Sequence, residues 1–261
     1  MATLRYGDHP SQVVDLLEPR GPTDPDLPPV ALLHGGYWRA RWGRDLLVPL
    51  ATRLAEAGRR VALVGYRRVG EVPVGWRPTF ADVAEALERL AHLAPGTGAD
   101  HPTRRRPVPV DVVGHSAGGQ LALWATSAHP ELVRRVVALA PVADLVEAHR
   151  RHLSRDAVVG LLGGTPAEVP DRYRASSPVE LVPLGRPLLV VHGSADRDVP
   201  RALSRRLVEA AERAGDPVRA LWPRGVDHFD LIDPDHPVSG EIVNWLAAPD
   251  PASGSTPRPR G

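Results

Sequence analysis

The stretch Val112-Val113-Gly114-His115-Ser116-Ala117-Gly118-Gly119-Gln120 decides the predicted fold. An apolar, β-branched run at residues 108–113 leads into it, and apolar residues dominate again from 120 to 128. This pattern predicts a strand that enters the stretch and a helix that leaves it. The outer glycines of the Gly-x-Ser-x-Gly junction would let strand and helix approach closely. Ser116 would then sit in a strained turn with its hydroxyl at the end of a sheet, unless it only caps the helix.

Strands and helices alternate along most of the chain. Uninterrupted apolar runs of strand length are followed by segments with apolar residues at helical spacing. Strands without a polar face favour a mostly parallel sheet with helices on both faces, an α/β fold. The predicted strands are residues 13–17, 30–33, 61–64, 108–113, 136–139, 188–191 and 218–221, and the main predicted helices are 45–57, 80–93, 120–128, 201–214 and 238–246.

Residues 142–185 interrupt this alternation. They contain two helical pieces, 145–153 and 157–162, followed by a Gly-Gly pair and several prolines. We interpret the segment as a small helical cap insertion that shapes a substrate pocket. The chain is therefore predicted to form one domain over residues 1–247, followed by a disordered tail at 248–261, which is rich in Pro, Ser and Gly.

The composition excludes several kinds of chemistry. All 32 basic residues are arginines and there is no cysteine, so lysine and thiol nucleophiles are ruled out. If the protein uses a nucleophile, its attacking atom must be an oxygen. We expect no metal and no cofactor, and no Gly-x-Gly-x-x-Gly motif follows a predicted strand. A formal charge of +1 indicates neither a nucleic acid nor an anionic membrane as partner.

The predicted location is the cytoplasm. Residues 1–9 carry charged side chains without an apolar segment, which is not the pattern of a secretory signal. No run approaches the roughly 18 apolar residues that a membrane helix needs. A homodimer is the candidate assembly.

A nucleophilic serine needs a base within hydrogen-bond reach and an acid that orients the base. Asp196 and Asp198 both follow the predicted strand 188–191. We prefer Asp196, because a turn that starts at Gly193 would present it at the sheet edge. Asp198 lies beside a helix start and reads more simply as a cap. Asp144, after the preceding strand, is a weaker competitor.

The candidate base is His228, on the loop after strand 218–221. Imidazole is suited to proton transfer at neutral pH. His236 competes with it but lies at a helix start, where a structural role is simpler. His115 and His192 are interpreted as packing or positioning residues.

An oxyanion hole would need two backbone N–H groups that face the developing negative charge. One candidate is the amide of Ala117, directly after the serine and at a helix N-terminus. The others are the amides of Gly36 and Tyr37, in the loop that follows strand 30–33, with His34 as a scaffold for that loop. The alternative is that the glycine pair forms a plain turn.

With these positions assigned, the chain resembles the α/β-hydrolase superfamily over about residues 5–247. Gly114-His115-Ser116-Ala117-Gly118 is similar to the nucleophile elbow of that superfamily, in which the acid and then the base follow the serine. His34-Gly35-Gly36-Tyr37-Trp38 resembles the oxyanion motif of its esterase branch, in the form found in arylformamidases (kynurenine formamidases). The opening Tyr6-Gly7…Gln12-Val13-Val14-Asp15-Leu16 is also similar to that group.

The resemblance implies a serine hydrolase that cleaves a small acyl or aryl ester through an acyl-enzyme. The partner it implies is therefore a small-molecule ester or amide substrate. An arylformamidase that hydrolyses N-formylkynurenine is the alternative, and a non-catalytic binding protein with a hydrolase fold is a third reading. Trp38, Trp42 and Trp76 are candidates for an aromatic wall of the substrate pocket, or else belong to the core.

Overall fold

The computed structural model of the protein describes residues 1–24, 27–72, 75–93 and 107–249. Within these ranges the strands form one sheet. They are β1 (Ala2–Arg5), β2 (Val13–Leu17), β3 (Val30–Leu33), β4 (Val61–Val64), β5 (Val110–His115), β6 (Val133–Leu139), β7 (Leu188–Val191) and β8 (Val218–Leu221). Their order is β1-β2-β4-β3-β5-β6-β7-β8. β1–β2 and β2–β4 are antiparallel, and every pair from β4 to β8 is parallel.

Helices cover both faces of this sheet. They are α1 (Val48–Glu56), α2 (Trp76–His92), α3 (Ala117–Ala128), α4 (Leu145–Arg150), α5 (Ala157–Leu162), α6 (Pro170–Ser176), α7 (Arg201–Ala214) and α8 (Val238–Ala247). Buried residues of α1 and α8 form one core with the sheet, and those of α2, α3 and α7 form the other. The predicted α/β fold with a mostly parallel sheet is confirmed.

Strand β3 shows why its sequence has no polar face. Ala31 and Leu33 point into one core, whereas Val30 and Leu32 point into the other. All four residues are fully buried. Because successive side chains of a strand alternate between faces, a sheet covered on both sides needs apolar residues at every position.

Several elements differ from the sequence prediction. β5 spans Val110–His115 instead of residues 108–113, and β6 begins at Val133 instead of residue 136. β1 was not predicted, since its residues are mostly exposed; it forms because its backbone pairs with β2 at the sheet edge. α2 begins at Trp76 instead of residue 80, and Pro78 is tolerated there because the first helical turn needs no intrahelical N–H donor. α3 begins at Ala117, directly after the serine.

The segment predicted as a cap contains α4, α5 and α6 between β6 and β7. The predicted helix 145–153 is too long, because the chain leaves the helix after Arg150. His152, Ser154, Arg155 and Asp156 all have φ between 49° and 54°. A run of this kind reverses the handedness of the backbone and cannot continue a right-handed helix.

The domain assignment over residues 1–247 stays a prediction, and residues 250–261 of the predicted tail lie outside the described part of the chain. Among the described helices, none combines the length and apolar character needed to cross a bilayer.

Candidate active site

Ser116 occupies a tight, strained turn between β5 and α3. Its backbone angles are φ +56° and ψ −117°, a combination that L-residues rarely adopt. A Cβ added to Gly114 would lie 2.2 Å from the carbonyl oxygen of Gly118, and one added to Gly118 would lie 2.0 Å from that of Leu33. The two glycines therefore allow the close approach of strand and helix. The Ser116 side chain makes no hydrogen bond that caps α3, so the reading of this serine as only a helix cap is wrong.

The structure brings His228 and Asp196 together. His228 Nδ1 lies 2.7 Å from Asp196 Oδ2, and the Asp196 side chain is fully buried. The other carboxylate oxygen accepts hydrogen bonds of 2.9 Å from the backbone N–H groups of Asp198 and Val199. The carboxylate is therefore held by its own loop and can fix the orientation of the imidazole.

The electrostatics of this pair favour an ionised Asp196. Burial alone would raise the pKa of Asp196, but hydrogen bonds from His192, His228 and the Val199 backbone bring it well below the ordinary value for aspartate. His192 is itself buried, 3.3 Å from Asp196 Oδ2, and is held by Ser204 Oγ at 2.7 Å. A negative charge thus faces His228 Nδ1 at neutral pH.

The rival acids and base have other partners. Asp144 Oδ1 accepts a hydrogen bond of 2.8 Å from the backbone N–H of Glu147 and so caps α4. Asp198 is exposed, and no hydrogen bond joins its carboxylate to His228 among the described residues. His236 Nδ1 accepts a hydrogen bond from the backbone of Val238 at the start of α8.

His115 supports the loop that carries His228. Its Nε2 lies 3.0 Å from the His228 carbonyl oxygen, and the two ring centroids are 4.4 Å apart. Burial lowers the pKa of His115 to about 3, so this ring is neutral at physiological pH. Its N–H therefore donates to the His228 carbonyl oxygen, which agrees with the predicted positioning role.

The loop after β3 lies directly against the serine. A Cβ added to Gly35 would be 3.0 Å from Ser116 Cβ. Gly36, Tyr37 and Trp38 all have positive φ, of 102°, 50° and 57°. Such a backbone turns successive amides in directions that ordinary extended chain does not allow. Gly36, the second glycine of the pair, thus begins a strained three-residue turn, and Gly35 lies beside Ser116.

His34 anchors this loop from the core. It is fully buried, and its ring stacks on Tyr66 with centroids 4.4 Å apart and planes 8° from parallel. The Tyr66 hydroxyl donates a hydrogen bond of 2.7 Å to the His34 carbonyl oxygen. Burial lowers the pKa of His34 to about 3, so it too is neutral.

Because His34 and His115 are buried in the neutral form, we expect the free energy of unfolding to decrease as the pH is lowered through a defined range. The ordinary pKa of histidine is about 6.5. Below that pH these two histidines bind protons in the unfolded chain but stay unprotonated in the folded chain. The resulting stability is fully present above about pH 6.5 and is lost progressively as the pH falls toward 3, the folded pKa of both groups. Each group contributes up to about 1.4 kcal/mol per pH unit.

Urea unfolding at several pH values between 6.5 and 5 measures this slope above the range in which carboxylates titrate. We expect His115→Gln to make the slope shallower by about 1 kcal/mol per pH unit. A slope that is identical in the variant and the parent would show that His115 takes up its proton in the folded state.

Ser116 and His228 line the same cavity, which has a volume of about 350 Å³. Gly36 and Tyr37 also line it, and the Tyr37 hydroxyl donates a hydrogen bond of 2.6 Å to the Asp198 carbonyl oxygen. Residues 151–154, from the segment between β6 and β7, form another part of its wall. The cavity has the size of a small-ligand site.

Two of the three predicted pocket tryptophans do not line this cavity. Trp38 is 1% exposed, and its Nε1 donates a hydrogen bond of 3.0 Å to Gln120 Oε1, so it belongs to the core. Trp76 packs edge-on against Phe80, with ring centroids 6.5 Å apart. Trp42 does line the cavity and is 38% exposed. The side chains of Trp38 and Trp76 are directed to the core because their helix and loop pack against the sheet.

Among the cavity residues that the sequence did not point to are Phe229, Arg41, Arg151 and Arg197. Phe229 and Arg197 are direct neighbours of the predicted His228 and Asp196, and Arg41 follows the His-Gly-Gly loop. Adjacency to predicted site residues was the available signal. For Arg151 the available signal was its place in the segment 142–185, which was predicted to shape the substrate pocket.

The parallel sheet, the strained serine turn and the buried imidazole–carboxylate pair define an α/β-hydrolase. The chain belongs to the prolyl oligopeptidase family (peptidase S9), whose family model matches residues 107–240. That range contains the serine, the aspartate and the histidine described above.

Several individual relatives are esterases or a lipase by name, and another is an uncharacterized peptidase of Bacillus subtilis. A probable isoprenylcysteine alpha-carbonyl methylesterase of Oryza sativa is 24% identical over 89% of this chain and 58% of its own. A monoacylglycerol lipase of Mycolicibacterium smegmatis is 28% identical over 86% of this chain and 90% of its own. The chain spans about half the length of several other curated relatives that it matches.

Solved structures show the same fold. A truncated carbohydrate esterase from gut microbiota superposes with a TM-score of 0.79 over 94% of this chain and 95% of its own, at 19% identity. At that identity the likeness concerns the fold alone.

Proposed function

We propose that this protein is a serine hydrolase that cleaves carboxylic esters with a small acyl or aryl group. The observation that carries the proposal is the shared cavity: the strained Ser116 and His228 both border it, and His228 is held from behind by the buried Asp196. The names of most of the curated relatives, which are esterases and a lipase, support the same reaction class.

In the proposed mechanism, Ser116 Oγ attacks the ester carbonyl and His228 Nε2 takes the serine proton. Asp196 stabilises the resulting imidazolium through Nδ1. The proton passes to the leaving alcohol as the acyl-enzyme forms. Water then attacks the acyl group while His228 takes its proton. His228 passes this proton to Ser116 Oγ, which releases the carboxylic acid and free Ser116.

The tetrahedral intermediates carry negative charge on the former carbonyl oxygen. We assign the backbone N–H of Ala117, at the N-terminus of α3, and those of Gly36 and Tyr37 to stabilise this charge. The positive φ values of the latter two and the contact of Gly35 with Ser116 support the assignment. Each such donor is worth about 10²–10³ in rate.

A fluorophosphonate probe tests the proposal directly, because it reacts with a serine only when a base activates its hydroxyl. We expect the probe to label the tryptic peptide that contains Ser116 and to abolish hydrolysis of 4-nitrophenyl acetate. Wild-type protein that stays unlabelled at Ser116 would favour the non-catalytic binding protein and overturn the hydrolase.

The choice of Asp196 over Asp198 makes a separate prediction. Asp196→Asn removes the charge that faces His228 Nδ1 and should lower kcat by about 10³-fold or more. Asp198→Asn is the matched control on the same loop, and we expect it to change kcat by no more than about fivefold, since the Asp198 contacts to Tyr37 and Asp196 use its backbone. Steady-state kinetics on 4-nitrophenyl acetate measures both; a larger loss in the Asp198 variant would assign the acid to Asp198.

Hydrolysis of N-formylkynurenine is the second candidate. The motif His34-Gly35-Gly36-Tyr37-Trp38 and the aromatic side chains Trp42 and Phe229 at the cavity favour it. Aryl formamides and 4-nitrophenyl esters of increasing chain length separate the two. Faster cleavage of the longer acyl esters than of the formamides would leave the ester hydrolase as the function. The location in the cytoplasm and the homodimer stay predictions.

A further inference from the structure

The wall of the Ser116 cavity has an uneven distribution of charge. Three arginines line it, Arg41, Arg151 and Arg197, and Asp198 is the one carboxylate among its lining residues within the described chain. The formal charge of the whole protein is only +1. The positive character is therefore local to the cavity rather than a property of the whole surface.

One of these arginines already has a carboxylate partner. Arg151 Nε lies 2.6 Å from Glu147 Oε1, and the same carboxylate also binds Arg150 at 2.6 Å. This network accounts for Arg151 as a structural residue of the segment between β6 and β7.

Arg41 and Arg197 are different. Within the described residues, neither guanidinium has a carboxylate within 4.0 Å. Arg41 lies over the Trp42 ring, 5.4 Å from its centroid, which restrains the side chain next to the cavity. Guanidinium groups bind carboxylates through paired hydrogen bonds, and an unpaired arginine at a cavity is a site for that kind of ligand.

We propose that the cavity selects esters that carry a second, ionised carboxylate, which Arg41 and Arg197 bind. The inference rests on the proposed hydrolase function and adds the substrate class to it. A volume of about 350 Å³ holds one small molecule, so the carboxylate and the scissile ester occupy the same cavity. Trp42 and Phe229, which line the same cavity and are 38% and 47% exposed, provide apolar surface for the rest of the substrate.

Two pairs of nearly isosteric substrates test the proposal. Mono-4-nitrophenyl adipate and 4-nitrophenyl hexanoate differ in a carboxylate on the acyl side. 4-Acetoxybenzoate and 4-acetoxybenzamide differ in a carboxylate on the leaving-group side. For at least one pair, we expect kcat/KM to be about tenfold higher for the anionic substrate, and the preference to shrink as salt screens the charges.

The double variant Arg41→Gln/Arg197→Gln should lower the anionic-to-neutral ratio of kcat/KM by about tenfold. Arg205→Gln is the matched control: this exposed arginine lies over Trp222, outside the cavity, and we expect it to leave the ratio within about twofold of the parent. The use of a ratio removes any general loss of activity in a variant.

Inhibition by benzoate, with benzamide as the neutral control, gives a readout that does not depend on turnover. Benzoate should inhibit the parent more strongly than benzamide. In the double variant, the ratio of the benzamide to the benzoate inhibition constant should be about tenfold lower. Equal ratios in parent and double variant for both substrate pairs, with no benzoate preference, would overturn the anion site while the hydrolase stands. Failure to cleave any of the four esters, anionic or neutral, would overturn the hydrolase instead.

Discussion

Ser116→Ala is expected to lower kcat by about four orders of magnitude or more, with the fold intact. In the proposed mechanism Ser116 Oγ is the only protein atom that bonds to the acyl group, so its loss leaves only substrate binding and the oxyanion donors. Stability should change little, because the Ser116 side chain caps no helix and alanine can occupy the same turn. Initial rates on 4-nitrophenyl acetate and a thermal melt measure the two effects.

Ser127→Ala is a matched control on the same helix. Its hydroxyl donates a hydrogen bond of 3.3 Å to the Leu181 carbonyl oxygen, away from the cavity. We expect parental activity and fluorophosphonate labelling in that variant. If Ser116→Ala keeps more than about a tenth of the parental kcat, a different residue is the nucleophile.

Asp111→Ala should produce the largest loss of stability. The Asp111 carboxylate is fully buried on β5, at the opposite end of that strand from the serine turn. It accepts hydrogen bonds from Arg59 at 2.7 Å and from Arg134 at 2.6 Å, and Arg135 lies 4.0 Å away. Removing it leaves the buried Arg59 guanidinium without its counter-charge, which costs about 3–5 kcal/mol.

Urea unfolding and a thermal melt measure this loss, which corresponds to a decrease in Tm of about 10 °C for a chain of this size. Glu18→Ala is the control, because Glu18 is 64% exposed and its ion pair with Arg60 lies at the surface. We expect that variant to lose less than about 1 kcal/mol. A similarly small loss in Asp111→Ala would mean that solvent reaches Arg59 and that the network is not desolvated.

The sequence was informative wherever neighbouring residues decide the structure. The strands from 30 to 33 and from 188 to 191 were predicted with the observed bounds, because uninterrupted apolar runs of that length have few alternatives. The serine turn was also predictable, because glycines two positions before and after a serine allow a strand and a helix to approach more closely than any side chain would permit. β1 was not, because its edge position leaves its side chains exposed and without a pattern.

The choice between candidate side chains needed the path of the loops. Asp196 and Asp198 are two positions apart, and only the turn of their loop places one carboxylate 2.7 Å from His228. Trp38 and Trp42 were equally plausible pocket residues, yet one is buried on Gln120 and the other borders the cavity. In both cases the decisive contact joins residues at least 30 positions apart.

The sequence by itself therefore determined the α/β class, the position of the strained serine and the residue types available for chemistry, because hydrophobic periodicity and glycine geometry act over a few residues. Only the tertiary structure decided that Asp196 holds His228, that Trp38 is core, and that Arg41 and Arg197 face the Ser116 cavity. Those outcomes depend on which loops of different strands lie next to each other in the folded protein, and the residues near any one position in the sequence do not indicate this.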